Sequence, residues 1–214
     1  MPESYNSLAD LAHGYHEFMK DLGVDKYSIV GLSVGGMWGA HLANLYKEEV
    51  TGLIIMDSYL GAEEEEAKQE YFKLINATEG GFSRGVAEQV SPFFFSSENP
   101  NPELVKMCED RLMEFDKDYH IPHIMKLGQI IFGREDSLGI LIELKKAKIP
   151  VKIMVGEYDI PRPPSEAKEM ARLIGDEPVI IENSGHIPTV ENPERTNAVI
   201  GEALASMLVM REKL

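Results

Sequence analysis

Residues 27–43 read YSIVGLSVGGMWGAHLA, and the run changes character twice. Tyr27-Ser28-Ile29-Val30 is short and rich in aromatic and β-branched side chains, which suit a pleated, covered surface. Gly31-Leu32-Ser33-Val34-Gly35 then fits the pattern G-x-S-x-G. From about Val34 to Tyr46, small and apolar residues lie on several sides, as a buried helix requires. A serine caught between strand and helix sits on a sharp, strained turn with its hydroxyl exposed above the sheet. The flanking glycines are expected on steric grounds, because a Cβ there would collide with a neighbouring strand or helix. The helix N-terminus adds partial positive charge near the hydroxyl. Five residues with three fixed positions arise often by accident, so the strand-turn-helix setting is what gives the pattern weight.

Outward from this run the chain alternates. Upstream, Leu8, Leu11, Ala12, Tyr15, Phe18, Met19 and Leu22 form one apolar stripe, opened by Ser7 and Asp10 as a capping box and stopped at Gly23. Downstream, Val50 to Met56 is almost uninterrupted apolar sequence ending at Asp57, the mark of a strand covered on both faces. Residues 61–146 hold helical stretches divided by Glu79-Gly80-Gly81 and Asn99-Pro100-Asn101-Pro102, with no convincing strand. Glu63-Glu64-Glu65-Glu66 reads there as a solvated first helical turn. Alternation resumes with a strand at 151–155, a helix at 164–174, a strand at 179–181 and a helix at 194–211. The fold class is α/β: a parallel sheet flanked by helices, formed by 1–60 and 147–214, with an all-helical insertion over 61–146.

A serine nucleophile needs a base, and the base needs an orienting acid. Asp159 lies just past the strand at 151–155, in Gly156-Glu157-Tyr158-Asp159. His186 lies past the strand at 179–181, in Asn183-Ser184-Gly185-His186. In open parallel sheets, sites gather at the carboxyl ends of strands, so Ser33, Asp159 and His186 fall on one edge. Asp57, past the end of another strand, is the alternative acid, and Glu157 is close to Asp159 in sequence. Val34 N–H is the candidate oxyanion donor.

The segments YSIVGLSVGGMWGAHLA, KIPVKIMVGEYDIPRPP and IENSGHIPTVENPE resemble the α/β-hydrolase superfamily, whose triad order is Ser, Asp, His. The GLSxGGM elbow and the H-x-P-x-x-E-x-P tail are similar to 3-oxoadipate enol-lactonases and to small esterases, perhydrolases and C–C bond hydrolases. The resemblance implies a truncated α/β-hydrolase sheet, with 61–146 as a cap that selects substrate. It implies a serine hydrolase acting on a small ester or lactone through an acyl-enzyme, with no metal and no organic cofactor. Peptidase, perhydrolase and C–C hydrolase chemistry, and a non-catalytic binding module, are the alternatives. The family carries strands ahead of the nucleophile strand that this sequence lacks, along with the loop bearing a second oxyanion donor. Losing one such donor typically lowers turnover by about 10²–10³. A longer native chain, a homodimer or a partner that completes the sheet are the ways to supply them.

Remaining features bound the partners. The formal net charge is −15, from 36 acidic and 21 basic residues. That sign repels nucleic-acid phosphates and anionic lipid, leaving a small-molecule substrate as the expected partner. No run is long enough to span a bilayer, no signal pattern opens the chain, and a single cysteine, Cys108, fits a reducing compartment; the expected location is cytoplasmic. His13 and His16 lack a third metal ligand and read as a solvated helix face. His120 and His123 flank Pro122 and read as loop residues, with His123 also a substrate-pocket candidate. Met37 and Trp38 are core or pocket wall. Phe93-Phe94-Phe95 reads first as burial, with a pocket-facing role second. Arg134 and Arg162 read as surface charges first and as partners for a substrate carboxylate second.

Overall fold

Strand β2 (Val50–Met56) is the apolar run made physical: Leu53, Ile54 and Ile55 have no exposed surface. Successive side chains of a strand point to opposite faces. Leu53 and Ile55 therefore enter one core and Ile54 and Met56 another, on the two sides of the sheet. A computed structural model gives this architecture and describes residues 2–211. Its sheet runs β1 (Tyr27–Leu32), β2, β3 (Val151–Gly156), β4 (Val179–Ile181), all parallel. Among the described residues β1 has one strand neighbour, and its Val30 is 44% exposed.

The crossovers bring the helices. Helix α1 (Leu8–Asp21) packs on α2 (Val34–Leu45), and α2 covers β1 and β2. The insertion follows β2: α3 (Glu65–Asn76), α4 (Arg84–Val90), a 3-10 turn at Ser91–Phe94, α5 (Pro102–Met113), α6 (His120–Phe132) and α7 (Gly139–Lys146). Then α8 (Pro164–Ile174) covers β3, and α9 (Pro188–Glu191) precedes α10 (Pro193–Arg211), which closes the opposite face against β2 and β4. Helix α6 reaches the main core through Ile130, and α7 enters it further. Its Leu141 and Leu144 are fully buried in the main core, where it contacts α2 and α8.

Several local expectations need correction. At α1 the Ser7 hydroxyl accepts Asp10 N–H at 3.1 Å, but the Asp10 carboxylate accepts from Asn6 N–H, one residue earlier than the capping box predicts. His16 is not on a solvated face. It is 5% exposed, stacks on Tyr46 with ring centroids 3.5 Å apart, and meets Glu49 at 2.9 Å. His120 and His123 are helical rather than in a loop, because Pro122 falls in the first turn of α6, where the missing N–H disturbs no helical bond. The four glutamates divide: Glu65 and Glu66 open α3, whereas the Glu63 side chain is only 6% exposed.

Candidate active site

Ser33 joins β1 to α2 with φ 54° and ψ −121°, a conformation that costs an L-residue about 1–3 kcal/mol and persists only where its surroundings enforce it. Enforcement comes from both sides. Ser33 N–H donates to Met56 O at 2.8 Å, continuing the β1–β2 ladder, and Ser33 O accepts Gly36 N–H at 3.0 Å. The steric expectation for the glycines holds at two positions. A Cβ on Gly31 would run into the Gly35 carbonyl, and one on Gly36 would stand 2.8 Å from Ser58 Cβ. At Gly35 the expectation fails, since a Cβ there meets nothing within 4 Å. The Ser33 side chain makes no helix-capping bond and is free to serve elsewhere. Val34 opens α2, so its N–H has no acceptor within the helix.

The other strand ends extend the same ladder. Asp57 N–H donates to Met154 O at 3.0 Å, and Glu157 N–H to Ile181 O at 2.9 Å. Three residues past β3, Asp159 is 4% exposed, and its Oδ1 accepts Arg162 N–H at 3.0 Å. His186, 5% exposed, lies with Nδ1 at 2.9 Å from Asp159 Oδ2 and 3.1 Å from Oδ1. Its Nε2 is 3.0 Å from Ser33 Oγ. An ionised carboxylate only accepts, which assigns the ring proton to Nδ1 and leaves the Nε2 lone pair facing the serine hydroxyl. This arrangement can take a proton from Ser33 and stabilise the resulting imidazolium.

Asp57 is fully buried with φ 47°, and its Oδ1 accepts Gly156 N–H at 2.7 Å. Burial first, and then the negative Asp159 beside it, push its carboxyl well above the usual carboxylate range. His186 turns instead to Asp159 and Ser33. Glu157 accepts Asn183 N–H at 3.1 Å.

Arg134 and Arg162 are not surface charges. They are 8% and 4% exposed, and both bind Glu63, Arg162 Nη2 reaching its Oε1 at 2.6 Å. A substrate carboxylate would have to displace Glu63 to reach them. Glu166 adds a second carboxylate 3.6 Å from Arg162, and burial pushes it up to about 7. Met37 is buried in the core and Trp38 stacks on Tyr15 of α1 at 3.8 Å, so both have packing partners. His123 sits half-buried on α6 against the Tyr119 carbonyl. The three phenylalanines separate: Phe93 is 43% exposed, Phe95 is 2% exposed, and Phe94 lies 6.1 Å from the His186 ring. A cleft of about 880 Å³ opens between α5 and the loop after His186, with Phe95, Met107, Leu112, Phe115, Ile187 and Val190 among its walls. No trio of metal-ligating side chains gathers among the described residues. No helix among them is long and apolar enough to cross a membrane. Sequence reasoning missed the buried Glu63 cluster and gave Glu191 no role beyond its place in the tail motif.

Comparison with known proteins places these observations in a group. A family model described as "alpha/beta hydrolase fold" matches residues 2–193. The chain is 26% identical over 224 residues to the Escherichia coli O7:K1 (strain IAI39 / ExPEC) protein named "Putative carbamate hydrolase RutD", covering 99% of this chain and 78% of that one. Among solved structures, a thermophilic esterase from Thermogutta terrifontis superposes with a TM-score of 0.82 at 24% identity, over 97% of this chain and 75% of that one. The enol-lactonase from Burkholderia xenovorans LB400 gives 0.78 at 19%, over 93% and 73%. At these identities the solved structures speak for the fold.

Proposed function

From the premise that the chain belongs to the alpha/beta hydrolase-fold family and is a hydrolytic enzyme, we propose that it is a serine hydrolase of small esters or lactones, with Ser33, His186 and Asp159 as its triad. The observation that carries this reading is the continuous chain of contacts, 3.0 Å from Ser33 Oγ to His186 Nε2 and 2.9 Å from Nδ1 to Asp159. A non-catalytic module would not need those side chains within hydrogen-bond reach.

The steps follow from the geometry. His186 Nε2 takes the Ser33 proton as Oγ attacks the substrate carbonyl, and the oxyanion forms against Val34 N–H. The imidazolium, held by Asp159, returns the proton to the leaving alkoxide, giving an acyl-enzyme. Water then attacks with His186 as base, and the acid leaves. Asp57, which accepts Gly156 N–H while His186 bonds to Asp159, is the weaker claimant to the acid role. Ester, enol-lactone and carbamate, the groups named for the relatives, share an acyl carbonyl that this sequence of steps can use. The cleft beside Ile187 suits the apolar part of such a substrate. The proposed cap is α3 to α6; α7 is read with the core because of its packing. Work in the cytoplasm, and pairing of the open β1 edge with a second copy or another chain, belong to the same proposal.

The test is labelling of the purified chain with a fluorophosphonate probe beside a Ser33→Ala control. Stoichiometric labelling that disappears in the variant supports an activated serine, and esters and lactones should then be turned over. A folded protein that takes no label would sink the reading.

A further inference from the structure

Glu191 commits both carboxylate oxygens to backbone amides from separate parts of the chain. Oε2 accepts Gly185 N–H at 2.7 Å, and Oε1 accepts Ser96 N–H at 2.8 Å. Gly185 immediately precedes His186. Ser96 lies two residues past Phe94, whose ring is 6.1 Å from that of His186. One side chain therefore holds the base's own loop and the insertion segment that faces it.

The two segments are also in direct contact. A Cβ on Gly185 would stand 2.5 Å from Ser96 N and run into the Phe95 carbonyl group. On the other side, a Cβ on Gly156 would collide with the Gly185 carbonyl. The backbone before His186 is thus pressed between the end of β3 and the insertion, with Glu191 fastening it on the insertion side. Glu191 is itself fixed at the end of α9. Asn192 Nδ2 next to it donates to Glu182 O at 2.9 Å, and Thr196 Oγ1 donates to Pro188 O at 3.0 Å. Hydrogen bonds to an ionised acceptor are about twice as strong as neutral ones, so the pair is a firm tie.

We propose that Glu191 is a positioning residue that locks the His186 loop to the Phe94 segment, setting the aim of the base at Ser33 together with the wall beside the substrate. The proposal rests on the triad reading above. Removing the tie leaves Ser33 and Asp159 in place but frees the backbone that carries the imidazole. A misplacement of about 1 Å at a reacting group costs on the order of 10²-fold in rate.

The experiment measures the rate of fluorophosphonate labelling, and kcat and KM on a turned-over ester, for the parent, Glu191→Gln and Glu191→Ala. Glutamine keeps one acceptor oxygen and most of the shape, so it should restore part of what alanine loses. The expected order is parent, then Gln about 10-fold slower, then Ala about 10²-fold slower, with kcat falling more than KM rises. If alanine does not fold, the glutamine variant carries the measurement. A merely structural role would lower thermal stability in both variants while the folded protein labels at the parental rate, and that result overturns the proposal. Absence of labelling at Ser33 in the parent overturns the triad reading and this inference with it, so the two failures are told apart.

Discussion

In the sheet, Leu53, Ile54 and Ile55 of β2 have no exposed surface, whereas none of the described residues of α3 or α5 in the insertion is buried. The sheet is held by continuous apolar contact on both faces. The insertion reaches the main core through Ile130 of α6 and through α7, and its outer helices are tied down at a few polar points: Glu63 between Arg134 and Arg162, Glu191 on Ser96, and Ser137 N–H on Leu60 O at 2.8 Å. Apolar layers spread the loss of one contact over many neighbours. Buried ionic ties do not, because removing one partner leaves the other charged and dry. The proposed triad therefore rests on a robust platform, and the outer helices of the insertion on a few decisive fastenings.

The largest expected effect tests the platform. Asp159→Asn should lower kcat by about 10⁴, because the amide no longer selects the ring tautomer that leaves Nε2 free. Asp57→Asn, one strand away, should change kcat by less than about 10-fold, since an amide oxygen can still accept Gly156 N–H and His186 bonds to Asp159 instead. Steady-state kinetics on both variants decides, and a reversed order would move the acid to Asp57. Next comes a fastening. Glu63→Ala leaves the buried Arg134 without its carboxylate and Arg162 with Glu166 alone, and should cost about 3–5 kcal/mol in urea unfolding, as much as a large core truncation such as Leu53→Ala. Limited proteolysis should then cut within α3 to α6 before the sheet. Cleavage spread evenly over the chain would break the contrast.

The division between platform and fastenings is also the division between what was legible in the sequence and what was not. Val50–Met56 announces a doubly covered strand, and Ser33, Asp159 and His186 each lie in the turn or loop that follows a β-run, so their shared edge could be derived from order alone. Arg134 and Arg162 could not be read as buried, because their partner Glu63 is 71 and 99 residues away. His16 lies outside the apolar stripe, and helical spacing says nothing of the Tyr46 ring it stacks upon. His120 and His123 read as loop residues because whether Pro122 falls in the first turn of a helix depends on where that helix starts. Gly35 fits the motif, yet the steric demand falls on Gly36, against a serine from the neighbouring strand end. Glu191 is visible in the sequence, but its two amides come from a loop and an insertion whose meeting no local pattern encodes.

Two glycines give a finer comparison. A Cβ on Gly31 meets the backbone of Gly35 and Gly36, which cannot move without disturbing Ser33, whereas one on Gly128 of α6 meets the Ile75 side chain, with Cδ1 at 2.7 Å. Gly31→Ala should destabilise by about 1–3 kcal/mol or more through overpacking. Gly128→Ala should cost less than Gly31→Ala, because its clash is with one side chain rather than backbone and helix propensity returns about 1 kcal/mol. Thermal melts of the two variants check this, and equal losses would mean the insertion packs as tightly as the elbow.

The smallest effect concerns Glu166, which joins the Glu63 fastening from α8. Its carboxyl titrates at about 7 in the fold against 4.5 for the free group, chiefly because it is buried. Across that window the folded chain holds more protons than the unfolded one, so this group's contribution to stability falls as pH rises from about 4.5 to about 7. The loss is on the order of 1–3 kcal/mol, with the nearby guanidiniums setting how much is recovered. Glutamine carries no charge and removes the slope. Glu166→Gln should melt at the parental temperature near pH 4.5 and several degrees above it at pH 8. A variant that instead melts below the parent at pH 8 would show that attraction to Arg162 outweighs burial. The fastening would then hold most tightly when fully ionised, and the contrast with the apolar platform would be sharper than drawn here.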